Sequence, residues 1–335
     1  MSGPSADQQD RAAGSLWGLA IGDALGMPTQ LLSRDAVAET FGDIERFEEP
    51  TVDHPIASGL AAGTVTDDTQ QTLLLAQALG PGAHIDQQAW ADALLGWEIE
   101  ARARGSLDLL GPSTRAALSA LRAGTSPGEA GRSGTTNGAA MRICPVGIAV
   151  DASDPSRLVD RVVEASMLTH NTVVALAGAA AVAGAVSCCL DGADVAEAVS
   201  FAVHVADLAA ARGHWVAGAS VARRIDWAVG EARGLPTKGL SDFVVDVVGT
   251  SLATQESVPA AFALVAAFHN DPWRALCTAA QLGGDADTIA AMVGSMVGAA
   301  CGQTALPAWA VRLVADVNHL DMNPVARRLL EIRCG

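Results

Sequence analysis

Apolar residues recur along this chain at three- and four-residue intervals, and polar residues gather where the runs break. SDPSRLVDRVVEAS repeats Leu158, Val159, Val162 and Val163 behind Asp154 as N-cap and Pro155 at the first helical position. NDPWRALCTAAQLGG does the same from Asp271 and Pro272 to a stop at Gly283, and MNPVARRLLEIR does so from Asn323 and Pro324. PSTRAALSALRAG has Ser113 as cap and Gly124 as stop. Further helices are predicted near 10–22, 67–79, 87–103, 172–189, 194–212, 215–230, 241–250, 257–269, 286–301 and 304–317, and convincing alternating strands are absent. The pattern predicts an all-α, single-domain orthogonal bundle of more than ten helices over residues 1–335, with residues 1–9 as a flexible lead. The longest irregular stretch, about 28–65, is rich in Gly, Pro, Asp, Glu and His. Long loops in compact domains are usually functional or disordered, and this one runs straight into a cluster of acids.

One run, NTVVALAGAAAVAGAVSCCL at 171–190, has no charge and nearly the length of a membrane span. It is mostly Ala, Gly and Val and has no aromatic or basic flanks, so the expectation is a buried central helix. The GxxxG at Gly294–Gly298 reads the same way, as close helix packing in a core. Half of the chain is apolar and 17% is charged, a globular composition rather than a disordered one. The net charge of −16 argues against a nucleic-acid or anionic-membrane surface. Cys144, Cys188, Cys189, Cys277, Cys301 and Cys334 lack CxxC spacing. They read as reduced core thiols of a cytoplasmic protein, and the polar start MSGPSADQQDRAAG has no secretory h-region.

Two stretches concentrate the chemistry. GTVTDDTQQT at 63–72 sets Asp67 and Asp68 in the first turn of a helix behind Thr66, and GGDADTIA at 283–290 sets Asp285 as a cap ahead of Asp287 and Thr288. Carboxylates at a helix start are favoured by the dipole and the free N–H groups, so capping alone is one reading. Two acids plus threonines at both of two apolar helices exceed what capping needs. Burying four unpaired anions is prohibitive, and the chain has few Lys or Arg to pair them. A divalent cation answers that. Carboxylate and hydroxyl oxygens without His or Cys suit Mg2+, Mn2+ or Ca2+ over Zn2+, and two clusters of three oxygen ligands match a two-metal centre. Three further segments are weaker alone: GLAIGDALG at 18–26 around Asp23 reads as a packing turn, GTTNGAAMR at 134–142 as a Gly/Asn turn whose N–H groups could grip a phosphate, and THNT at 169–172 as the opening of an apolar helix.

Taken in order, GLAIGDALG, GTVTDDT, NGAAMR, THNT and GGDADTIA resemble the ADP-ribosylglycohydrolase family, whose relatives include dinitrogenase reductase-activating glycohydrolases and lens crystallins. The resemblance spans most of the chain and implies an all-α fold with a binuclear Mg2+ or Mn2+ centre. It implies that Thr66, Asp67 and Asp68 bind metal from one side and Asp285, Asp287 and Thr288 from the other, with Asp68, Asp285 and Asp287 as candidates for the proton relay. Asn137, Gly138 and His170 match substrate-contacting segments, Asp23 matches a position that supports the site, and Asp23 and Gln30 join them as candidates on the substrate side. The implied reaction is hydrolysis at the anomeric carbon of an ADP-ribosyl group, on a side chain, a nucleic acid or a metabolite, through an oxocarbenium-like transition state.

One departure matters. Many members that act on protein side chains carry a Glu shortly after GDxxG, where this chain has Gln30 in GDALGMPTQ. Gln is neither a general acid nor a base. Either another acid replaces it, with Glu45, Glu48 and Glu49 as candidates and His54 beside them, or the substrate differs. A small-molecule ribosyl or nucleoside N-hydrolase is therefore the alternative function. A non-catalytic member is disfavoured by the intact acidic motifs. The leaving group, the preferred metal and the oligomeric state are not encoded in these motifs.

Overall fold

The computed structural model describes residues 3–103 and 110–335. Among them the chain forms eighteen α-helices and no strand beyond three isolated bridges. They are α1 (Ala6–Gly26), α2 (Arg34–Phe41), α3 (Asp67–Ala78), α4 (Gln87–Ala103), α5 (Pro112–Arg122), α6 (Pro127–Ala130), α7 (Gly138–Met141), α8 (Cys144–Ala149) and α9 (Pro155–Ser166). There follow α10 (Val173–Leu190), α11 (Val195–Ala210), α12 (Val221–Ala232), α13 (Thr237–Phe243), α14 (Thr254–Ala267), α15 (Pro272–Ala280), α16 (Ala286–Cys301), α17 (Ala308–Asn318) and α18 (Asn323–Cys334). The expected all-α architecture is the one found.

The helix starts show which local signals decide. Asp154 and Asp271 cap α9 and α15, each accepting the N–H three residues on. Ser5 and Gln8 form a reciprocal capping box. It starts α1 at Ala6 and draws residues 6–9 out of the expected flexible lead, whose Met1 and Ser2 lie outside the described residues. Two expected caps are displaced. Gly111 rather than Ser113 precedes α5, because Pro112 fits the first helical position. Asn323 is already helical in α18, with Met322 at the cap position. The stretch 28–65 also contains α2, capped by Ser33.

Most of the buried apolar side chains form one connected cluster. α10, the membrane-length run, is nearly all buried and packs against α7, α8, α9 and α11 as a central core helix. Cys144, Cys189 and Cys277 are buried, and all six cysteines are unbonded. The packing that positions the site is that of α1 along α16. GLAIGDALG is not a turn but the second half of α1. Gly14, Gly18, Gly22 and Gly26 recur every four residues and face α16. A Cβ on Gly18 would collide with the Gly294 carbonyl, and one on Gly22 with the Ala290 carbonyl. A Cβ on Gly26 would meet the Asp287 backbone. The expected close packing at Gly294–Gly298 is thus half of a reciprocal glycine seam. That seam brings the C-terminal end of α1 against the N-terminal end of α16.

Candidate functional site: facing carboxylates at two helix starts

Asp23 lies on the buried face of α1, with no exposed surface. Its carboxylate accepts the Thr66 N–H at 2.9 Å and the Thr69 N–H at 3.1 Å, together with both threonine hydroxyls. Asp23 therefore caps α3 from another helix. Thr66 occupies the cap position but makes no side-chain cap bond to its own helix. Asp285 likewise precedes α16 without capping it. Self-capping, the plain reading of both acidic stretches, accounts for neither. The Thr66 hydroxyl gives its hydrogen to Asp23 at 2.7 Å, which leaves its lone pairs for another partner.

The two helix starts face each other. Thr288 Oγ1 on α16 lies 3.4 Å from Asp68 Oδ2 on α3. Asp285 is clamped by Asn137 Nδ2 at 2.5 Å, and its N–H donates to the Thr250 carbonyl at 2.8 Å. Gly283 and Gly284, both with positive φ, turn the chain into α16. The Gly284 N–H reaches the Leu32 carbonyl at 2.9 Å. Asp67 accepts from Gln71 Nε2 at 2.8 Å.

Burial is the largest cause of a raised proton affinity at all five aspartates. Asp23 and Asp285 are pushed up to about 6, their hydrogen bonds from Thr66, Thr69 and Asn137 opposing the rise. Asp67, Asp68 and Asp287 are pushed well above the ordinary range, and neighbouring carboxylates add to the burial. Among the described residues the cation built into this core is Arg142, fully buried, which pulls Asp67 back down. Burial lowers Arg142 itself to about 10. Its guanidinium donates to Gln71 Oε1 at 2.5 Å and Thr169 Oγ1 at 2.6 Å, and it sits 5.5 Å from the Trp90 ring centroid. The role of this arginine does not follow from NGAAMR, where its signal is no more than a basic residue in an apolar stretch.

A cavity of about 510 Å³ opens over this array, within the range of small-molecule sites. Asp67, Asp285, Asp287 and Thr288 line it. Asp68 and Thr66 lie directly behind, tied to the wall through Thr288. The residues expected at the substrate divide. Gln30, Asn137 and Gly138 line the cavity. Asn137 commits its Nδ2 to Ser257 and Asp285 and its main-chain N–H to Leu252, so it orients Asp285 and does not offer the phosphate-gripping N–H the motif suggested. Asp23 and His170 do not reach the lining: Asp23 is spent on α3, and His170 is buried behind Gly138, where a Cβ would come within 3.0 Å of the ring.

The candidates for replacing the acid at Gln30 stay away. Glu45 and Glu49 are exposed, and Glu48 pairs with Arg46 at 2.8 Å. His54 is buried rather than solvated. Its Nδ1 accepts the Ala57 N–H at 2.9 Å, so Nε2 carries the hydrogen and donates to the Gln30 carbonyl at 3.0 Å.

Does this array suit divalent cations? The donor set is all oxygen, which matches hard ions. Asp68 Oδ1 and Asp287 Oδ1 are buried without any hydrogen-bond partner, and a buried charged acceptor in that state is costly. Among the described residues no three His, Cys, Asp or Glu side chains form a ready metal-holding group. The ligand types and orphaned atoms fit. A finished coordination shell is not preformed.

Comparison with known proteins adds an independent line. The sequence profile of the ADP-ribosylglycohydrolase family matches residues 4–334. An uncharacterized Escherichia coli (strain K12) protein, YegU, is 37% identical over 97% of both chains. The ADP-ribosylarginine hydrolase Tri1 of Pseudomonas putida (strain GB-1) is 30% identical over 93% of this chain and 76% of its own. A solved structure titled an ADP-ribosylglycohydrolase-related protein complex superposes with a TM-score of 0.72 at 27% identity, covering 98% of this chain and 99% of that one.

Proposed function

The chain belongs to the ADP-ribosylglycohydrolase family and is a glycosyl-bond hydrolase, and from that premise we propose that it releases ADP-ribose from an ADP-ribosyl conjugate with the help of two divalent cations. The observation that carries this reading is the facing of Asp67 and Asp68 on α3 with Asp285, Asp287 and Thr288 on α16, two carboxylate oxygens orphaned among them, at the wall of one cavity. Thr66, Asp67 and Asp68 on one side and Asp285, Asp287 and Thr288 on the other would hold Mg2+ or Mn2+, which would supply orientation of the ribose hydroxyls and activation of a water.

The chain's own residues do the rest. Hydrolysis forms a bond from water oxygen to the anomeric carbon, breaks the bond to the leaving group, which departs with the bonding electrons, and moves one water proton by way of a carboxylate to that leaving group. Asp285 and Asp287 face the cavity, which places their carboxylates to receive that proton. Asn137 holds Asp285 in one rotamer, and Gln71 holds Asp67. The apolar surround of the cavity, including Leu252 and Met141, limits bulk water near the oxocarbenium-like carbon.

Gln30 favours a second reading of the leaving group. It lines the cavity as a neutral amide, and none of Glu45, Glu48 and Glu49 comes to its side. A small ribosyl or nucleoside substrate on the same scaffold fits that neutral wall. A panel of ADP-ribosylated arginine, serine and DNA, O-acetyl-ADP-ribose and plain nucleosides, with Mg2+ or Mn2+, tests both. ADP-ribose release that is abolished by EDTA and by Asp285→Ala is the expected result. Cleavage of nucleosides alone would replace the first reading by the second, and turnover surviving EDTA would overturn the metal dependence.

A further inference from the structure

Arg142 touches two hydroxyl-bearing or amide-bearing neighbours, and each contact fixes the direction of a hydrogen-bond chain. A guanidinium has donors and no acceptor. At one end it donates to Gln71 Oε1, so the Gln71 amide must turn its Nε2 toward Asp67 Oδ2, as found at 2.8 Å. At the other end it donates to Thr169 Oγ1 at 2.6 Å. Thr169 is fully buried, and the neighbour that can take its own hydrogen is His170 Nδ1 at 2.7 Å. If Nδ1 carried a hydrogen instead, Thr169 would receive two donors and its O–H would have no acceptor, a costly arrangement in a buried site. Nδ1 is therefore an acceptor and Nε2 carries the imidazole hydrogen. Nε2 lies 3.0 Å from Thr136 Oγ1. Thr136 accepts there, so its own hydrogen turns away from His170, and Thr136 lines the cavity. Gly138 is the gap through which the imidazole reaches it, since a Cβ at that position would touch the ring.

We propose that Arg142, Thr169 and His170 form a one-way relay that leaves the Thr136 hydroxyl hydrogen free to donate to an acceptor oxygen of the bound ADP-ribosyl ligand. Thr136 is the ligand-touching residue; Arg142, Thr169 and His170 are positioning residues. The direction of the chain is set by the guanidinium and cannot reverse while Arg142 is in place. His170 stays neutral in it, because burial and the nearby Arg142 charge both oppose its protonation. The same cation thus orients both walls of the cavity: Asp67 through Gln71, and Thr136 through Thr169 and His170. The proposal rests on the ADP-ribosyl reading of the cavity, and the test separates the two.

Long-range proton–nitrogen NMR on the uniformly 15N-labelled wild-type protein reads the His170 tautomer without any ligand. The expected result is an imidazole protonated on Nε2, and a hydrogen on Nδ1 overturns the relay. Calorimetric titration with ADP-ribose in the presence of Mg2+ then reads the ligand end. Thr136→Val should weaken binding about tenfold, the loss of one hydrogen bond, and Thr136→Ser should restore it. Thr169→Val should release the tautomer and weaken binding less than Thr136→Val. Added to Thr136→Val it should weaken binding no further, because a relay is one pathway. Thr169→Ser, which keeps the hydroxyl, should behave as wild type. Full additivity of the two losses, or unchanged affinity in Thr136→Val, overturns the relay while leaving the ADP-ribosyl reading intact. Wild-type protein that binds no ADP-ribose overturns both.

Discussion

At the scale of single residues, Asp23 shows how a side chain can be essential to a site it does not reach. Its two oxygens take two N–H groups and two hydroxyls from the start of α3. It also stands among four other aspartates and raises the proton affinity of Asp67, Asp68 and Asp287. Removing its charge therefore has two opposed effects: repulsion within the cluster relaxes, and the α3 start loses its acceptors. The second wins. Asparagine offers one oxygen and turns an amide N–H toward donors, and each buried donor left unpaired costs about 1–3 kcal/mol. Asp23→Asn is expected to lower stability by about 2 kcal/mol in denaturant titration, and the Thr66 and Thr69 amides should exchange with solvent faster. Unchanged protection of both amides would mean that α3 caps itself.

At the scale of elements, the α1–α16 seam carries the site. Gly18 and Gly294 meet backbone to backbone, with no flexible side chain to move aside. Gly18→Ala should therefore force the helices apart, destabilise by about 3 kcal/mol or more and misalign Asp23 and Asp287, with hydrolase activity lost in step. Gly230 gives the control: it is an exposed glycine inside α12 with nothing within 4 Å of a Cβ. Gly230→Ala should stabilise by about 0.5–1 kcal/mol through helix propensity. Melting temperatures of the two variants check both signs. Elements also show what was legible in the chain. Asp154-Pro155 and Asp271-Pro272 announce their helices because cap and first-turn proline act within four residues. The four-residue glycine period of α1 was legible too, yet GLAIGDALG reads as a turn when its glycines are weighed for freedom rather than for close approach. α2 and α7 were not legible: a helix of one or two turns has no period to detect, and tertiary contacts decide it.

At the scale of the whole molecule, the acidic motifs were legible because each is contiguous, and their pairing followed from four anions that need a common cation, a reading the family resemblance then strengthened. Arg142, Gln71 and Thr169 were not, because their roles exist only once α3, α7 and the 166–172 turn meet around Trp90. What the assembled molecule accumulates is buried negative charge, and that predicts its pH dependence. In the metal-free protein Asp23 and Asp285 hold their protons up to about 6, against an ordinary value of 3.8 in the unfolded chain. Between these values the folded state binds more protons than the unfolded state, so stability falls as pH rises. The contribution is complete below about pH 4 and is lost as pH climbs through 6. Asp67, Asp68 and Asp287, raised further, extend the loss to higher pH. Carboxylates with the opposite sign exist, such as Asp242 beside Arg34 and Lys238, but that group is solvent-screened and contributes little. Metal-free protein, prepared with EDTA, should therefore melt at a lower temperature at pH 7.5 than at pH 5. Saturating Mg2+ should reverse the order, since cations bind the ionised carboxylates and stabilise the folded state by mass action. Equal melting temperatures at the two pH values without metal would mean that the five aspartates are not held protonated together. An Mg2+ effect as large at pH 5 as at pH 7.5 would mean that the cation binds elsewhere.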